Sequence, residues 1–193
     1  MASSMNFYQR ANLSMGLAVI LGFELSISQW ARNSAYITWE QVWLNADTWL
    51  WIAFQFLFRI KVTIDDHAHF SNEVKGLRGL TDFLLFVVSS FLFVVSAVLS
   101  FLPQATAVLF TLGVLVLTGW VLLGAKQPKK KTWVLVNIGY ILALSPMTTS
   151  GFFGAVEQEA LVTVSLVAHV FLLILLLIDY HESETHDHMP DYQ

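Results

Sequence analysis

Two apolar runs, Phe83 to Leu102 and Ala105 to Gly124, stand back to back with only Pro103 and Gln104 between them. Each is about 20 residues long, which is what an α-helix rising about 1.5 Å per residue needs to cross about 30 Å of hydrocarbon. Proline suits the break, because it lacks the N–H that a helix interior requires. Further runs at Trp133–Ser150 and Ala160–Ile178 leave a soluble core no means of hiding so much apolar surface. Composition agrees: 12% of the 193 residues are charged, where soluble domains carry about a quarter. The chain reads as all-α, a polytopic integral membrane protein forming a single transmembrane domain.

The first half is more polar. Leu13 to Trp30 holds Glu24, and Thr48 to Ile60 holds Gln55 and ends beside Arg59, so the second stretch spans only if it starts near Val42. Positive charge decides the number, because Lys and Arg near span ends stay cytoplasmic. With six spans, at about 12–30, 43–60, 83–102, 105–124, 133–150 and 160–178, nine of the ten Lys and Arg fall on one side and only Arg32 on the other. That asymmetry predicts a cell-membrane protein with both termini in the cytoplasm. Trp30, Trp39, Trp43, Trp49 and Trp51 cluster at the predicted outer boundary, with Trp120 and Trp133 at the inner one, as an aromatic belt does. The alternative is a four-span core with the first two segments lying in the interface, where a short, Trp-rich stretch also fits. A cleaved signal peptide over the first run is disfavoured by Glu24.

Within the spans, polar residues mark candidate sites, since a charge at the bilayer centre costs about 2.5 to 3.5 kcal/mol on insertion scales and usually faces protein or water. Glu24 lies about 9 Å below the outer end of span one at the helical rise. Gln55 falls at a similar depth and His169 slightly deeper; Ser96 and Ser145 are near enough to join them. If these faces converge, Glu24, Gln55 and His169 line an ion or proton pathway, with Phe171–Ile178 as a dry barrier. In the plainer alternative His169 bonds to a carbonyl or to Ser165 one turn away, and Glu24 is satisfied between helices.

The polar segment 61–82 is expected to be a short helix or a helical extension of span two, followed by a turn. In it Asp65, His69 and Glu73 recur every four residues, one helical face that suits a divalent metal or simple surface pairing. Arg59, Lys61, Lys129, Lys130 and Lys131 are placed to meet lipid headgroups or a cytoplasmic protein. The tail 179–193 is acidic and His-rich, a composition that holds metal loosely but more often is a solvated end. Pro146 is expected to weaken or kink the outer end of span five.

Several functions are excluded. There is no cysteine, so thiolate sites and disulfides are ruled out. His169 is the only intramembrane histidine, too few for a bis-histidine haem. No span holds a lysine for a retinal-type Schiff base, and no catalytic motif is present. Neither an enzymatic role, a cofactor nor direct nucleic-acid binding is expected. Small residues such as Ser96, Ser100 and Gly113 allow close helix approach, and so short a chain encloses a wide pore only as a homo-oligomer. Two classes of function remain: a small oligomeric channel or transporter for an ion, proton or small solute, or a non-transporting scaffold, regulator or stress or defence accessory acting through a cytoplasmic partner.

Overall fold

The computed structural model describes residues 7–33, 38–39, 45–69, 76–123, 130–153 and 158–187. The long elements among them are six α-helices: α1 (Phe7–Asn33), α2 (Ala46–His69), α3 (Gly76–Val98), α4 (Pro103–Leu123), α5 (Lys130–Phe153) and α6 (Gln158–Asp187). No strand occurs among the described residues. Four helices are long and apolar enough to cross a membrane, over Ser14–Arg32, Pro103–Leu123, Lys131–Ser150 and Val162–His181. The chain is thus an all-α, multi-pass membrane protein. α3 contributes a shorter apolar stretch, Phe83–Val98.

Local chemistry explains the helix boundaries. Pro103 opens α4, a position where a missing N–H is no loss. The α3–α4 turn is stitched by the Thr106 hydroxyl, which donates to the Leu99 carbonyl at 2.6 Å, and by the Ser96 hydroxyl, which donates to the Thr106 carbonyl at 3.2 Å. α5 remains helical on both sides of Pro146. Proline cannot serve the carbonyl four residues back, that of Leu142, but the Ser145 hydroxyl donates to it at 2.8 Å. Hydroxyls commonly rescue proline in this way inside membranes.

α3, α4, α5 and α6 each pack on the next, α1 lies against α2 and α3, and α2 touches α1, α4 and α6. α2 therefore closes the ring of helices and reaches into its centre. α2 is packed into the helical core: Trp51 is 0% and Phe54 1% exposed, in a helix that touches α1, α4 and α6. Phe110 of α4 is the hub of the core, its ring centroid 5.2 Å from Phe54, 5.0 Å from Phe58 and 5.1 Å from Phe93. Lipid tails are as apolar as these rings, so close packing and ring-edge contacts hold the helices together, not escape from water.

The tryptophans depart from a simple belt. Trp51 is in the core, Trp120 is buried against Phe86, and Trp30 meets Trp49 edge to face at 5.4 Å; Trp39 is exposed. Close approach of helices relies on missing side chains. A β-carbon at Gly22 of α1 would stand 3.2 Å from the Val98 amide nitrogen of α3, and one at Gly113 would stand 2.7 Å from the Phe93 ring.

Candidate functional site

α2, α5 and α6 each present one buried stripe to the interior. On α2 it runs Trp51, Phe54, Phe58 and Lys61, and on α5 Trp133, Asn137, Tyr140 and Leu144. On α6 it runs Ser165, His169, Leu172, Leu176 and Asp179. Each recurs at three- or four-residue steps, the period of one helical face. The α2 and α6 stripes meet toward both ends, and rings of α2 and α5 meet between those points. The Trp51 and His169 rings lie edge to face with centroids 4.8 Å apart, and Lys61 Nζ lies 2.6 Å from Asp179 Oδ2. Trp51 and Lys61 are ten residues apart, as are His169 and Asp179, about 15 Å of helix in each case. α2 and α6 therefore run parallel, side by side.

The Lys61–Asp179 pair is the largest departure from the sequence expectations. Lys61 was expected to meet lipid headgroups or a cytoplasmic partner, and Asp179 to lie in a solvated tail. Instead α6 stays helical through Asp187, and the two side chains are 7% and 4% exposed. Burial forces pairing, because an isolated charge out of water is prohibitive. Lys61 Nζ also lies 5.8 Å from the centre of the Trp133 ring, within cation–π range. Arg59, two residues earlier, points elsewhere. It is buried, and its Nε is 3.8 Å from where a β-carbon at Gly16 would stand, so the guanidinium lies against α1.

His169 is 1% exposed. Its Nδ1–H donates to the Ser165 carbonyl at 2.7 Å, the within-helix bond of the plainer alternative. That bond fixes which nitrogen carries the proton, since a carbonyl only accepts. Nε2 is buried with no hydrogen-bond partner among the described residues. Tyr140, fully buried, lies between the two meeting points, 5.6 Å from Phe58 ring to ring.

The expected layer of Glu24, Gln55 and His169 does not assemble within one chain. Gln55 is buried but turned toward the α3–α4 turn, its Nε2 donating to the Ser100 hydroxyl at 3.0 Å. Glu24 is exposed on the outer face of α1, opposite the face that carries Val19, Phe23 and Ser26 inward. Ser145 serves its own helix. Within the expected dry barrier Phe171–Ile178, Phe171, Ile174, Leu177 and Ile178 face outward, while Leu172 and Leu176 join the aromatic core. Lys131 is exposed. Glu73 and Lys129 lie outside the described residues, as do the side chains of Asp65, His69 and Lys130. Among the described residues no cluster of three metal-ligating side chains occurs. An open apolar groove of about 560 Å³ runs between α5 and α6, past Gly139, Ala143, Pro146 and Phe171.

Compared with protein-family models, curated proteins and solved structures, the chain matches none.

Proposed function

We propose that the chain is a six-span, proton-linked transport protein of the cell membrane with both termini cytoplasmic, whose working path follows the α2–α5–α6 seam. The observation that carries this is the buried Lys61–Asp179 pair, set about 15 Å along the seam from His169. Buried ion pairs contribute little net stability, and ionisable groups inside a membrane domain mark ion or proton paths. His169 Nε2 accepts a proton in the outer half. Asp179 releases or accepts one at the cytoplasmic end, with Lys61 balancing its charge. Phe54, Phe58, Phe110 and Tyr140 fill the space between, so passage requires helix movement or water entry, as in a carrier and unlike an open pore. Six spans are supported by the enclosure of α2 among α1, α4 and α6 and by its parallel run along α6, which alternating spans two and six require. Lipid acyl chains fill the α5–α6 groove.

The test is flux into liposomes loaded with a pH-sensitive dye, driven by a potassium gradient with valinomycin. Wild-type protein conducts protons; His169→Ala and Asp179→Asn each reduce the rate at least tenfold, while Glu24→Gln leaves it unchanged. Flux indifferent to both seam substitutions overturns the path. No flux under any gradient favours the second reading, a scaffold or regulator with a cytoplasmic partner, which the solid aromatic core supports.

A further inference from the structure

The geometry points to the outward face of α1 as a homodimer interface, with Glu24 hydrogen-bonded across it to a second copy of this chain. α1 packs on α2 and α3 through one face only, where Gly22 lets it approach α3 closely. The opposite face is exposed along Ser14, Leu17, Leu21, Glu24 and Ser28, with Gln29 beside the last. Those positions step by three and four residues alternately. Such steps mark one face of a helix, and two parallel helices can keep a face of this spacing in contact along one seam.

Glu24 lies near the middle of the apolar stretch Ser14–Arg32. Lipid there offers its carboxyl oxygens no donor, and none of the neighbouring helices covers them. A second copy related by a twofold axis along the membrane normal presents the same seam at the same depth. The Ser28 hydroxyl and Gln29 amide of that copy lie within about one helical turn of Glu24, so the carboxyl of each chain accepts from the other, and the small Ser14 and Ser28 let the backbones come close. The face supplies both donor and acceptor, so it is complementary to itself, which is why a second copy fits it better than an unlike partner. The inference rests on α1 being a membrane span and not on transport.

The chain has no cysteine, so single-cysteine variants report without background. In native membranes treated with copper phenanthroline, Leu17→Cys, Leu21→Cys and Ser28→Cys are expected to give a band of twice the 21.8 kDa chain. Leu135→Cys and Leu142→Cys, on the exposed face of α5, are not. Equal cross-linking at α5, no cross-linking at α1, or an α1 adduct of another mass overturns the dimer. A membrane-impermeant maleimide applied to both sides separates the causes: labelling of Leu21→Cys overturns the span itself, whereas protection without cross-linking overturns only the dimer. Glu24→Leu weakens dimerisation at least tenfold by subunit counting in lipid, and Glu24→Gln preserves it. A Glu24→Leu protein as dimeric as wild type removes Glu24 from the interface.

Discussion

Removing one member of the Lys61–Asp179 pair should cost far more than removing both. The ions are 2.6 Å apart, with side chains 7% and 4% exposed. At an effective dielectric constant of about 20 their attraction is about 6 kcal/mol, and it is offset by a desolvation penalty of several kcal/mol per ion. The net contribution of the intact pair is therefore small. Asp179→Asn, however, strands the ammonium, and Lys61→Met strands the carboxylate; each is expected to destabilise the fold by about 3–5 kcal/mol. That is more than a hundredfold in the unfolding constant, at about 1.4 kcal/mol per tenfold. The double variant Lys61→Met/Asp179→Leu, with no charge left to bury, should return to within about 1 kcal/mol of wild type. The seven tryptophans, Trp133 under Lys61 among them, make fluorescence during SDS-driven unfolding from detergent micelles a direct assay. Single variants within about 1 kcal/mol of wild type, or a double variant as unstable as both singles added, would refute the buried-pair reasoning. The same double variant also divides structure from function. If it folds yet conducts no protons, the pair works in transport; if it folds and conducts fully, the pair only holds α2 to α6.

Ser145→Ala leaves the Leu142 carbonyl without the hydroxyl that replaces the proline's missing N–H, and should cost about 1–2 kcal/mol in the same unfolding assay. Pro146→Ala restores that N–H, so Ser145→Ala added to it should be nearly neutral; equal costs in both backgrounds would rule out the compensation. Gly113→Ala drives a β-carbon into the Phe93 ring, at 2.7 Å, and should cost about 1–3 kcal/mol. Gly119→Ala meets nothing within 4 Å and should be neutral or stabilising by up to about 1 kcal/mol, so comparing the two melting curves separates packing from helix propensity.

The apolar helices were legible because lipid-facing residues obey a simple rule of composition. α2 breaks that rule for a physical reason: Gln55, Arg59 and Lys61 are buried against protein while Phe56, Leu57 and Ile60 face outward, so only one side of the helix need be compatible with lipid. A hydropathy threshold therefore misses the helix at the centre of the fold. Asp179 was hidden by its polar neighbours, His181 and Glu182, which suggested that span six had ended. The stripe Ser165, Ala168, Leu172, Leu176 continues in step to Asp179, and following that period past the last apolar run would have found it. The orientation of α1 was not legible. Val19 and Phe23 alternate round the helix with Leu17, Leu21 and Leu25, so both faces are apolar, and nothing in the sequence shows toward which side Glu24 points.

Asp179 and Glu24 are held in opposite ways, one enclosed by its own chain and one exposed on it. Asp179 is enclosed by its own chain and balanced by Lys61, so whatever chemistry it supports is complete in a single subunit. Glu24 lies on the outer face of α1, where a single chain in lipid gives it no donor from another helix. A pore shared between subunits would bring Glu24 and His169 to one axis, yet His169 is sealed behind Trp51 on the α2–α6 seam while Glu24 faces away from it. The proposed transport path and the proposed dimer interface accordingly lie on different faces of the fold. Substitutions along the seam should alter flux per subunit without altering subunit number, and substitutions at Glu24 should do the reverse. Any variant on one face that changes both quantities would mean that the α1 interface is coupled to the α2–α6 path.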